Sequence, residues 1–180
     1  MALRPVKRRR RDGRVVITLP APVAQLLGRV VAELGEVFTS PPAGEVTDRL
    51  FPRAYLDPTE EHAEQEFQSL VHGDLVRTRL DAVAAMVADL EAARPVGADR
   101  IEIVLDDEAE HRWLTVLNDA RLTLGTVLGV TEDQPLEFPD DDPRAAGADM
   151  YGLLSALQGE LVEVVLAQLP ETGTDDPAPS

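Results

Sequence analysis

The sequence predicts a mainly α fold: about five helices packed as an orthogonal bundle, with a minor two-stranded β ribbon formed by residues 14–19 and 100–105. Three observations predict it. Apolar residues recur every three to four positions through most of the chain, as one face of a helix requires. Aromatics make up 4% of residues, so the core must be filled mainly by Leu, Val and Ala. Two short β-branched runs, RVVITL and RIEIVL, stand outside the helical pattern.

Taken in order, residues 1–13 read as a flexible basic arm carrying Lys7, Arg8, Arg9, Arg10 and Arg11. The run from Arg14 to Leu19 reads as a strand that ends at Pro20. Val23, Leu26, Leu27, Val30, Val31, Leu34, Val37 and Phe38 then keep helical spacing up to the Thr39-Ser40-Pro41-Pro42 break. Asp57-Pro58-Thr59-Glu60 has the form of a helix start, with Asp57 able to cap free amides and Pro58 suited to the first turn. That helix is expected to reach Val71, with Gly73 bending or interrupting it, and a second to run from Asp74 to Ala93 before Pro95. After the second strand, Asp106 or Asp107 caps a long helix running to about Gly129. Residues 131–147 read as an acidic, proline-rich loop, residues 149–169 as a last helix and residues 171–180 as a disordered tail. Residues 14–170 therefore form one helical domain. Two isolated short strands must satisfy their backbone groups somewhere, and each is the other's best partner.

Composition narrows the function classes. The chain has no cysteine, which excludes disulfides, thiolate nucleophiles and sulfur-ligated zinc. No apolar run approaches the ~20 residues of a membrane span, and the basic start lacks the clean apolar core and cleavage site of a signal peptide. A cytoplasmic location is expected. The net charge is −16, yet residues 1–14 hold seven of the 17 basic groups and one acid, Asp12. The remainder stands near −22, a body that repels phosphate and favours basic partners. Nucleic acid is expected to contact nothing but the arm.

Catalytic chemistry is poorly supported, and no enzyme activity and no cofactor are expected. His62, His72 and His111 form no HExxH, and Glu108 with His111 gives one Glu-x-x-His where a di-iron bundle needs two. The serines lack a nucleophile elbow, and Gly125 and Gly129 lack the lysine of a phosphate loop. Asp140-Asp141-Asp142 reads as a solvated turn rather than a calcium site. A helix-turn-helix about Gly73 would place Glu60, Glu61, Glu64 and Glu66 against phosphate.

Two arginines draw the eye. At 100° per residue, Arg79 and Arg121 fall inside the apolar arcs of their helices, where an unpaired guanidinium is costly. Asp74, Glu66 and helix-end carbonyls are the candidate partners; Asn118 could share the hydrogen bonding, and Asp119, further round toward solvent, is a less direct one. The preferred reading is a structural polar network that fixes packing. The alternative is a pocket around Arg79, Arg121 and Asn118 that binds an anion or small molecule, and a third is self-association through exposed helix faces.

The ordered series Leu50-Phe51-Pro52-Arg53-Ala54-Tyr55, then Glu66-Phe67, Asp74-Leu75 and Arg79, then Trp113-Leu114-x-x-Leu117-Asn118-Asp119-x-Arg121-Leu122-x-Leu124-Gly125, then Tyr151 and Gln158, resembles the actinobacterial AosR family. The resemblance covers residues 14–169, and the segment from Trp113 to Leu122 is its most specific part. It implies a regulator of transcription under oxidative stress that acts through protein partners such as sigma factors or other transcription machinery. A thiol-disulfide sensor needs two cysteines, so any such role here works without a thiol switch of its own.

Overall fold

The computed structural model describes residues 5–40, 44–54, 57–131, 138–139 and 141–168. Its elements run β1 (Val6–Arg8), β2 (Val15–Pro20), α1 (Ala21–Thr39), α2 (Glu45–Leu50), a 3-10 turn (Pro58–Glu60), α3 (Glu61–Glu91), β3 (Arg94–Val96), β4 (Arg100–Leu105), α4 (Asp107–Leu128) and α5 (Ala145–Leu166). The expected tail lies outside the described residues, as do Asp140 and most of the expected loop.

The two expected strands do pair. β2 and β4 run antiparallel with Val15 opposite Leu105 and Pro20 opposite Arg100. They form the centre of a four-stranded antiparallel sheet, ordered β1-β2-β4-β3, rather than a two-stranded ribbon. β3 contains Pro95, which an edge strand tolerates because its missing N–H removes no ladder bond from the interior. β1 comes from the segment read as a flexible arm, and here the structure differs from the expectation. Val6 is buried, lies opposite Ile17, and donates its backbone N–H to the Glu160 carboxylate at 3.1 Å. A basic sequence hid a short strand that pairs with the next one and is anchored by carboxylates far along the chain.

The helices also differ in one respect. Gly73 does not interrupt the chain: α3 is one helix of 31 residues. A helical glycine loses about 1 kcal/mol against alanine, which an otherwise continuous hydrogen-bond ladder absorbs. The fifth α-helix is α2, a single short segment that periodicity could not resolve. The capping expectations fit the geometry. The Asp57 carboxylate accepts from Thr59 N–H at 2.8 Å, and the Asp106 carboxylate from Ala109 N–H at 2.9 Å. Gly129 ends α4 at φ 69°, a conformation other residues rarely take.

α4 lies at the centre, packed on α5, α3 and α2, while α1 packs on α3. Trp113 and Leu117 of α4 meet Leu27 of α1, Met86 of α3 and Leu154, Leu157 and Leu161 of α5 in one core. The Trp113 indole N–H, fully buried, donates to the Asp89 carboxylate at 2.9 Å. The buried part of α3 lies near its C-terminal end, at Ala82, Val83 and Met86.

Candidate functional site

The two arginines singled out by periodicity have opposite fates. Arg79 is engaged on several sides. Its Nε donates to Asp119 Oδ2 at 3.0 Å and an Nη to the Leu50 carbonyl at 2.7 Å. Its guanidinium also stacks against Phe51 and Phe38, at 4.9 and 5.7 Å from the ring centroids. One side chain thus ties α3 to α4, to the end of α2 and to α1. Burial raises the Asp119 carboxyl above the ordinary aspartate value, and the charge and hydrogen bond of Arg79 pull it back down. With these contacts on three elements, the geometry is that of a clamp.

The other expected partners lie elsewhere. Asp74 is exposed and pairs with Arg77 at 2.7 Å, and Glu66 sits on the exposed side of α3. The Asn118 side-chain oxygen accepts from Gln158 Nε2 at 3.3 Å and links α4 to α5. Arg121 belongs to a separate feature. With Arg49 of α2, Gly125 and Leu122 of α4, Val130, Thr131 and Tyr151 of α5, it lines a cavity of about 290 Å3.

Sequence reasoning missed a second buried ion pair. Glu110 of α4 is 2% exposed, and Arg8 of β1 meets it with two nitrogens, at 3.2 and 3.1 Å. A signal was present: Glu110 continues the apolar stripe of Trp113, Leu117, Ala120 and Leu124 one turn back, so a cation had to reach it. The arm expected to reach outward supplies that cation. Arg9 is likewise held, by Asp12 at 2.9 and 2.7 Å, whereas Lys7, Arg10 and Arg11 are exposed. Arg9, Arg11, Arg14 and Arg94 share a cleft of about 350 Å3 with Asp12, Asp89 and Glu102, so positive charge there is largely balanced.

The N-terminal half of α3 carries an apolar stripe on its outer surface. Leu70 is 71% exposed, and Phe67, Val71 and Leu75 are each more than a third exposed. Positions 67, 71 and 75 are one helical turn apart, with 70 beside them. Glu60, Glu66 and Asp74 are exposed around this stripe.

Among the described residues, no group of three or more His, Asp or Glu could hold a metal ion, and no helix is long and apolar enough to cross a membrane. Asp142, expected from the sequence in a solvated turn, holds the turn that leads into α5. It accepts from the Arg144 backbone N–H at 2.8 Å and from the Arg144 guanidinium at 3.0 and 2.8 Å, which lowers its carboxyl to about 2.

This chain is similar to proteins named oxidative stress regulator AosR. It is 28% identical over 110 residues to those of Mycobacterium bovis and Mycobacterium tuberculosis, which is 61% of this chain and 50% of theirs. It is 30% identical over 88 residues to the putative oxidative stress regulator AosR of Mycobacterium leprae, 49% of this chain and 40% of that one. The chain thus spans about half the length of these relatives. No solved structure matches it. The family described as domain of unknown function (DUF2017) matches residues 4–165, nearly the whole of the chain described above, and the chain belongs to that family of AosR-like proteins.

Proposed function

We propose that this protein is a non-enzymatic regulator of the stress response that acts by binding a protein partner, a sigma factor or another part of the transcription machinery. The observation that carries the reading is the apolar stripe of Leu70, Val71 and Leu75, exposed on a helix half that the core leaves outside and bordered by carboxylates. Such a surface fits a basic amphipathic segment, whose apolar side chains cover the leucines while its cations meet Glu60 and the acidic body. The charge of the body, near −22 outside residues 1–14, draws such a partner in and repels nucleic acid. The relatives' printed name, oxidative stress regulator, supports the regulatory class. With no cysteine in the chain, regulation rests on binding and not on a disulfide within this protein. A cytoplasmic location accords with such a partner.

The exposed Lys7, Arg10 and Arg11 offer DNA or an acidic partner a second contact. Because Val6 and Arg8 are built into the fold, this contact is tested by Arg10→Gln/Arg11→Gln and not by deleting the segment. The main test is affinity purification from the source cell with mass spectrometry, comparing the native chain with Leu70→Glu/Leu75→Glu. Recovery of a sigma factor or polymerase subunit by the native chain, lost in the variant, supports the proposal. Recovery of neither, or equal recovery by both, contradicts it.

A further inference from the structure

We infer that the cavity between α2, α4 and α5 is a binding site for the phosphoryl group of a small phosphorylated molecule. This goes beyond the partner-binding surface and does not rest on it. Three observations carry the inference.

The first is unspent positive charge. Arg8, Arg9, Arg77, Arg79, Arg112 and Arg144 all form ion pairs, as expected in a chain with 33 acidic residues. Arg14 and Arg94 also form no side-chain ion pair, but they share their cleft with Asp12, Asp89 and Glu102. Arg49 and Arg121, on different helices, form no side-chain ion pair or hydrogen bond among the described residues and line one cavity that no carboxylate lines. The second is an orphan donor. Arg121 Nε is shielded from solvent and has no acceptor, an arrangement that leaves a buried N–H unsatisfied at a cost of about 1–3 kcal/mol. Arg121 lines the cavity, so the guanidinium that carries this orphan donor borders the space an anion would fill. The third is that the cavity wall is shaped. At Gly125 a Cβ would stand 3.0 Å from Tyr151 Cε2, so the ring reaches its place because α4 has no side chain there. Tyr151 lines the same cavity, and its hydroxyl forms no hydrogen bond among the described residues.

The chemistry selects the ligand class. A phosphomonoester dianion brings two charges and three oxygens, enough for two guanidinium forks, whereas a single carboxylate neutralises one arginine and leaves the other unpaired. Leu122 and Val130 give the ligand's carbon skeleton an apolar wall. A volume of about 290 Å3 lies at the small end of ligand sites, which points to a small metabolite and away from a nucleic acid strand.

The test is isothermal titration calorimetry on the full chain with inorganic phosphate, glycerol 3-phosphate and citrate as probes. Saturable one-to-one binding of glycerol 3-phosphate or phosphate is expected, with Kd at or below about 1 mM. Arg49→Gln and Arg121→Gln are each expected to weaken it roughly tenfold or more, with Arg14→Gln as an unaffected control. Arg49 lies on the exposed face of α2, so its variant tests the site even if Arg121→Gln perturbs the fold. No saturation up to about 10 mM, affinity unchanged in Arg49→Gln, or tighter binding of citrate than of either phosphate would overturn the inference.

Discussion

Replacing Arg79 with Met removes the clamp while keeping a stem of similar length. The variant loses the ion pair to Asp119, whose side chain is 6% exposed, together with the donor to the Leu50 carbonyl and the contacts over Phe38 and Phe51. Breaking one partner out of a buried pair destabilises by about 3–5 kcal/mol, because the remaining charge stays uncompensated. Arg79 itself is 17% exposed, so some water reaches the site, and a stranded Asp119 relieves its charge by taking up a proton. Both considerations favour the low end, about 3 kcal/mol at pH 7. For a chain of this size that lowers Tm by roughly 6–12 °C.

The pH dependence has a definite sign. In the native protein the folded Asp119 carboxyl already stands above its unfolded value, so its contribution is present at low pH and lost as pH rises through the folded value. Removing Arg79 takes away the influence that lowers that value, which widens the window. The variant's deficit is therefore expected to shrink from pH 7 toward pH 4. Urea unfolding followed by far-UV circular dichroism across this range measures it. Arg79→Met/Asp119→Leu, with both charges gone, should recover most of the loss and leave mainly the unsatisfied Leu50 carbonyl. A deficit below about 1 kcal/mol in the single variant, or a double variant as unstable as the single, would refute the clamp.

Four further outcomes are expected. Arg8→Ala strands Glu110 and should destabilise the chain by about 3 kcal/mol, whereas a flexible arm would give a change within about 0.5 kcal/mol; thermal unfolding separates the two. Gly73→Ala, whose Cβ meets nothing within 4 Å, should stabilise α3 by roughly 0.5–1 kcal/mol, while Gly125→Ala should destabilise by about 1–3 kcal/mol through the Tyr151 ring. Asp142→Asn should lower the urea midpoint at pH 7, and this difference should fade as pH falls from about 4 toward 2. The native carboxyl is held near 2, so its advantage is present above the ordinary aspartate value and lost below it. A deficit independent of pH would reject a charged Asp142–Arg144 turn.

The sequence made some of this legible and hid the rest for identifiable reasons. β2 and β4 were readable because β-branched runs among helices have few partners to choose from. The capping residues Asp57 and Asp106 were readable because capping is local chemistry. β1 was not, since its three residues are Val, Lys and Arg and its register depends on Ile17 and on carboxylates more than 100 positions away. The helical wheel placed Arg79 and Arg121 correctly on inward-facing arcs, yet an angle says nothing about which neighbour crosses there. Asp119 lies near Arg79, but Arg121 opens onto a cavity instead of a partner. Asp74, close in sequence, points away to Arg77. Glu110 lay in plain view within the α4 stripe; what concealed its role was the assumption that terminal arginines remain in solvent.

The functional account stands or falls on the outer face of α3. Its most direct test is a titration of purified sigma factors and core RNA polymerase from the source cell against the full chain, by biolayer interferometry at two salt concentrations. Binding is expected to weaken at least roughly tenfold in Leu70→Glu/Leu75→Glu and to weaken as ionic strength rises. No binding to any of them, or binding that neither the variant nor salt alters, would contradict the account.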